Sequence, residues 1–303
     1  MSWPQKEAIT QGVIDMLRVN MALRPGEKLV VATDVPTTSD WQSKGQARIT
    51  TMLERALLAR LVADIATEAF PDCSVHFLPF PASGGHGTEP DPVSAARMRE
   101  TDVLVALTTF SLSHTNAREG ATEAGARVAS MPGFEARMFE AGGPMAVDHE
   151  SMAVDCQTFA DLLASASQVL VRTSHGTDLR FSLEGRSGHV DNGLYGSGPG
   201  VWGNLPAGET YAVPLEGTGE GKLVVAAGWY PNLTEAMSLG FAGGQVVEVL
   251  GGGAVGDKFR SLLKLEDDDP IHKARRNLAE LGIGTNPNAH KPDNVLEAEK
   301  IRG

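Results

Sequence analysis

Two glutamates and one histidine are the residues whose types and placement could do chemistry. Glu209 lies in GNLPAGETYAVPLEG (203–217). Glycine, asparagine and proline there give turn chemistry, and Thr210-Tyr211-Ala212-Val213 gives strand chemistry. A carboxylate at such a join has its backbone fixed on both sides, which suits a metal ligand or a general base. The same residue type also serves as an ordinary solvated turn glutamate. Glu280 lies in NLAELGIGTNP (277–287), where Ala274, Leu278 and Leu281 fit one helical face and Gly282 and Gly284 would end it. This predicts Glu280 at a helix C-terminus, where negative charge opposes the helix dipole and a neighbouring cation would offset the mismatch. His114, in SLSHT (111–115), follows the predicted strand DVLVALTT (102–109). It therefore falls at the carboxyl end of a strand, where ligands bind in open α/β sheets. The 8 histidines form no HxH, HExxH or Cys/His cluster. No GxSxG elbow and no P-loop is present, and no GxGxxG follows a strand in the first half.

The elements that must position these residues divide the chain in two. Ile9, Val13, Met16, Leu17 and Met21 repeat at helical spacing. KLVVATD (28–34), SVHFLPF (74–80), DVLVALTT and RVASM (127–131) read as strands, with helical segments between them, the longest over 48–69. Alternating strands and helices predict βαβ units and a doubly wound, mainly parallel sheet over 1–150. From about Ser151 the character shifts. A helix over 159–169 leads into a hairpin-like stretch around HGTD, followed by strands with Gly-rich turns. KLVVAAG and SLGFAGGQVVEVLGGG are strands, and AVGDKFRSLLK is a helix. The expectation for 151–303 is a β-rich α+β domain, to which the family resemblance given below adds a metal site. The run Glu266-Asp267-Asp268-Asp269 before Pro270 reads as a solvated turn or helix cap.

The composition limits the partners. With 303 residues and 42% hydrophobic content the chain can build real cores. A formal net charge of -12 argues against nucleic acid or an anionic membrane as partner, and leaves room for a metal ion or a free amine. The two cysteines, Cys73 and Cys156, form no CxxC and no disulfide ladder, so they read as small core residues in a reducing compartment. The N-terminal stretch has scattered charges and no apolar core of a signal peptide, and no apolar run reaches bilayer length. A cytoplasmic protein is the expectation.

GNLPAGETYAVPLEG and RRNLAELGIGTNP, in that order and at this separation, resemble the aminopeptidase T family of metalloexopeptidases, the thermophilic type of leucyl aminopeptidase. FSLSHTNAREGATEAGARVASMPG (110–133) and SHGTDLRFSLEGR (174–186) are similar to smaller members of that family. The resemblance implies two divalent ions (zinc, cobalt or manganese), Glu209 and Glu280 as metal ligands, and homodimers. The implied reaction is hydrolysis of the first peptide bond of peptides with a free N-terminus. Family members continue past the match to VLEAEKIRG and supply a histidine, a tyrosine and a late His-x-Asp. The resemblance therefore implies a C-terminally truncated member, inactive as it stands. A distant relative with the same architecture is a dihydroxypyridine ring-cleaving dioxygenase. It uses one iron on two histidines and a carboxylate, has a histidine at the position of Glu280 and lacks the LPxGE glutamate. A non-catalytic binder on the same scaffold is the third reading.

Overall fold

The computed structural model describes residues 3–302, and the chain is the α/β protein expected from its sequence. In chain order the first elements are α1 (Lys6–Asp15), β1 (Lys28–Val35), α2 (Thr38–Ser43), α3 (Gln46–Ala69), β2 (Ser74–Pro81) and α4 (Pro92–Arg99). They are followed by β3 (Val103–Ala106), α5 (Asn116–Glu123), β4 (Arg127–Ser130) and α6 (His149–Ser165). Next come β5 (Gln168–Arg172), β6 (Asp178–Ser182), β7 (Gly188–Asp191), β8 (Trp202–Asn204), β9 (Glu209–Ala212) and β10 (Glu220–Val225). The last are β11 (Met237–Ala242), β12 (Gln245–Gly251), α7 (Gly253–Leu263), α8 (Pro270–Arg276), β13 (Leu281–Gly284) and α9 (Val295–Ala298). A π-helical turn (Met16–Asn20) extends α1.

Two compact units emerge. The first holds the chain up to Glu150 together with Asn192–Ala207 and Asn286–Ala289. Its sheet is parallel in the order β2-β1-β3-β4-β8. All interior residues of β1, and every residue of β3 and β4, are buried, so both sheet faces are covered. Val30, Ala32, Leu104, Ala106 and Val128 share one core with Met98 of α4 and Ala117 and Ala121 of α5. Helix α5 starts where Thr115 accepts the backbone N–H of Arg118, an N-cap of the ordinary kind.

The second unit holds Ser151–Asp191, Gly208–Thr285 and the chain from His290 onward. It carries a five-stranded antiparallel sheet, β12-β11-β10-β6-β5, and a three-stranded antiparallel sheet, β13-β9-β7. The hairpin expected around HGTD is the β5–β6 pair, with Arg172 opposite Asp178. The expected helix over 159–169 starts earlier and stops earlier, because Gln168 and Val169 already pair with β6. Asp269 caps α8 by accepting the N–H of Ile271, which accounts for the end of the acidic run.

Two expectations need correction. The segment before Glu280 is not helical to its end: α8 stops at Arg276, and Glu280 precedes β13. The spacing of Ala274, Leu278 and Leu281 imitates a helix, but Leu281 and Ile283 are strand residues packed against the core of the antiparallel unit. Cys156 is fully buried, as expected, whereas Cys73 is half-buried at the edge of a turn.

Candidate functional site

The small sheet of the second unit has two chemically distinct faces, set by the two-residue period of its strands. Opposed pairs His189–Tyr211 and Asp191–Glu209 on β7 and β9 fix which residues share a face. On β13, Gly282 pairs with Tyr211 and Gly284 with Glu209. His189, Asp191, Glu209, Tyr211, Gly282 and Gly284 therefore lie on one side, and Val190, Thr210, Ala212 and Ile283 on the other. The second side is covered by α6. Thr210 Oγ1 donates to the Cys156 carbonyl at 2.7 Å, and Cys156 Sγ lies 3.1 Å from Thr285 Oγ1.

The first side carries charge. Glu209 is only 5% exposed. Its side chain crosses over β13, where a Cβ on Gly282 would collide with Glu209 Oε1. A Cβ on Gly284 would likewise collide with the backbone of Lys300 and Ile301. The two glycines thus let two things approach β13 closely, the Glu209 carboxylate and the C-terminal segment. That segment delivers Lys300, which is 1% exposed. Its Nζ lies 2.6 Å from Glu209 Oε2, 3.2 Å from Asp191 Oδ2 and 3.0 Å from Glu299 Oε1. An ammonium has three N–H donors and here meets three carboxylates.

Burial pushes the Glu209 carboxyl up to about 7, with Glu299 and Glu280 adding to the rise and Lys300 opposing it. Burial disfavours the charged form of Lys300, but Asp191, Glu299 and Glu209 outweigh it and hold the ammonium above the usual lysine range. Tyr211 is raised by burial first and then by Glu280, Asp191 and Glu209. The imidazole of His189 stacks on the Tyr211 ring at 5.1 Å and 21°.

Of the three residues singled out in the sequence, Glu209 and Glu280 are both in this unit. Glu280 is exposed and acts on Glu209 and Tyr211 through its charge. His114 belongs to the other unit, exposed in the loop between β3 and α5, with its ring edge-on to Trp202 at 6.2 Å. The residues missed are Lys300, Asp191, His189 and Tyr211. Tyr211 is two positions from Glu209 in a predicted strand, so strand period alone could have added it. Nothing local in VLEAEKIRG marks Lys300.

The first unit has a polar centre of its own, also missed. Asp34, at the end of β1, accepts the N–H groups of Thr109 at 2.6 Å and Phe110 at 3.2 Å. Burial raises its pKa, and those bonds and nearby Arg55 offset part of the rise. Arg55 is 6% exposed and donates to Thr109 Oγ1 at 3.0 Å and to the Phe134 carbonyl at 3.3 Å. It lines a cavity of about 480 Å³ with Glu54, Phe134, Glu135, Arg137 and Glu140.

Fold and site first define a class: an α/β protein of two units, the second presenting a carboxylate-rich sheet face beside stacked rings. The particular family follows from its sequence model, since NicX, 2,5-dihydroxypyridine 5,6-dioxygenase, matches residues 17–300. The chain belongs to that family. Among solved structures it is similar to 2,5-dihydroxypyridine dioxygenase from Pseudomonas putida KT2440, at a TM-score of 0.65 and 16% identity over 98% of this chain and 84% of that one. It is also similar to wild-type AmpT from Thermus thermophilus, at a TM-score of 0.62 and 16% identity, again over 98% and 84%. At such identity both likenesses speak of the fold alone. No curated protein sequence matches the chain.

The family corrects the aminopeptidase expectation, and with it the hydrolase and proteolytic activity. That expectation treated the retention of Glu209 and Glu280 as retention of a metal site. The structure supplies another reason for a glutamate at 209, the ion pair with Lys300.

A dioxygenase of this family implies a metal, iron. The described residues do not fit it. Among them no group of three or more His, Cys, Asp or Glu could hold a metal ion, and the carboxylates nearest to forming one are spread around an ammonium. The same holds for the pair of zinc, cobalt or manganese ions implied by the peptidase resemblance. Among the described residues no helix is long and apolar enough to cross a membrane.

Proposed function

We propose that this chain acts on a hydroxylated pyridine ring, in the ring-opening oxygenase class of its family. The observation that carries the reading is the family match over residues 17–300. The sheet face of the second unit supports it chemically. The stacked His189 and Tyr211 rings offer a flat aromatic surface against which a pyridine ring packs. The exposed Glu280 carboxylate of the same unit accepts a hydrogen bond from a ring hydroxyl group. The residues named here bind and orient the ring.

The test has two stages. Titration of 2,5-dihydroxypyridine without oxygen, followed by ring absorbance, reads binding. Tyr211→Leu and His189→Ala are expected to weaken it about tenfold each, in line with the loss of a ring contact of about 1 kcal/mol or more. Oxygen is then added. Oxygen uptake equal to ring loss, with both atoms of 18O2 in the product, is the expected result. A chain that neither binds the ring nor consumes oxygen would refute the reading.

A further inference from the structure

Asp191, Glu209 and Glu299 of the second unit converge on one buried point, and the occupant of that point is the Lys300 side chain. Three observations bear on what can bind there. The Nζ contacts of 2.6, 3.2 and 3.0 Å to Glu209, Asp191 and Glu299 are hydrogen-bond distances. Divalent metals need oxygen at about 2.0–2.6 Å, so carboxylates grouped around an ammonium are too widely spread to ligate one without moving. Lys300 itself is fixed from several directions. It is 1% exposed, its backbone N–H donates to the Glu297 carbonyl at 3.0 Å, and its backbone is seated over Gly284, where no side chain could be accommodated. The Glu297 carboxylate, also buried, closes the preceding loop by accepting the N–H groups of His290 at 2.8 Å and Lys291 at 3.1 Å. The ammonium is therefore built into the fold rather than resting on a surface.

We propose that Lys300 is the resident cation of this cage: its ammonium holds Asp191, Glu209 and Glu299 in the place a divalent metal would take, so Glu209 is an ion-pair partner and not a metal ligand in this chain. A cation and a divalent ion cannot share one buried point among the same three oxygens, because the two charges repel and the donor positions are taken. Removing only the ammonium takes away the cation that Asp191, Glu209 and Glu299 share, and carboxylate oxygens grouped in this way attract a hard divalent cation. The inference does not rest on the ring-opening reaction. Metal occupancy at Glu209 is read without turnover, so the two ideas fail separately.

The test is manganese binding to the full chain, followed by loss of the free Mn2+ signal in electron paramagnetic resonance. It uses wild type, Glu209→Gln, Lys300→Met and the double variant carrying both changes. Wild type and Glu209→Gln are expected to take up the same Mn2+, since none of it sits on Glu209. Lys300→Met is expected to gain one further ion, at least tenfold tighter than any background binding, and the double variant to lose it. If Lys300→Met folds only when Mn2+ is present during refolding, that dependence is the same gain read another way. Wild-type Mn2+ binding that Glu209→Gln abolishes would overturn the proposal. So would a Lys300→Met protein that gains no ion, or one that Mn2+ does not help to fold.

Discussion

Glu209→Gln should change the pH dependence of stability in a direction fixed by burial. Burial raises the Glu209 carboxyl from the ordinary 4.5 to about 7 in the folded chain. Below pH 4.5 it is protonated in both the folded and the unfolded state. Between 4.5 and 7 the unfolded chain ionises while the folded chain keeps its proton. The stability this group contributes is thus fully present below its unfolded pKa and lost as pH rises through its folded one. The rise corresponds to about 3 kcal/mol, and the side chain is only 7% exposed, so solvent screening removes little of it. Glutamine keeps the shape and the acceptor for Lys300 Nζ but does not titrate. Wild-type stability minus Glu209→Gln stability should fall by about 3 kcal/mol from acid to alkaline pH, with most of the fall between pH 4.5 and 7. Amide exchange of the strand Glu209–Ala212 in the full chain reads this unit by itself, whereas a whole-chain melt mixes two units. A difference that stays flat with pH would refute the dominance of burial. A difference that grows with pH would mean that the Lys300 ion pair outweighs it.

Three further outcomes are expected. Lys300→Met leaves a buried carboxylate unpaired and should destabilise the second unit by about 3–5 kcal/mol in urea unfolding; a loss below about 1 kcal/mol would show that the pair contributes little. Gly282→Ala places a Cβ against Glu209 Oε1 and should cost about 1–3 kcal/mol. A second change, Glu209→Ala, should recover much of that loss, and simple additivity of the two would count against the contact. Arg55→Ala removes the donors to Thr109 Oγ1 and the Phe134 carbonyl and the cation beside Asp34, so the first unit should lose about 3 kcal/mol and the Asp34 pKa should rise further; carboxyl chemical shifts across a pH titration would show an unmoved Asp34 if the reasoning is wrong.

Much of this protein was determined by local sequence. Apolar runs such as KLVVATD and RVASM read as strands, and their alternation with helical segments pointed to a mainly parallel sheet, as the structure has it. The turn residues around HGTD set the β5–β6 hairpin, and the proline after Asp269 set the start of α8. Those features depend on residues close in the chain, so their signal is local. The end of α8 was misread because Leu278 and Leu281 are apolar for a reason lying in another segment: they pack on the core of the antiparallel unit. The character of the site was likewise settled at long range. Residues 191, 209 and 300 meet only because β7, β9 and the C-terminal segment pack together, and Gly282 and Gly284 matter only through what lies over them. A sequence shows that Glu209 sits on a rigid strand end. Whether its carboxylate faces a metal or an ammonium depends on which cation the fold brings within about 3 Å, since a charge inside a protein is governed by its nearest counter-charge and its burial.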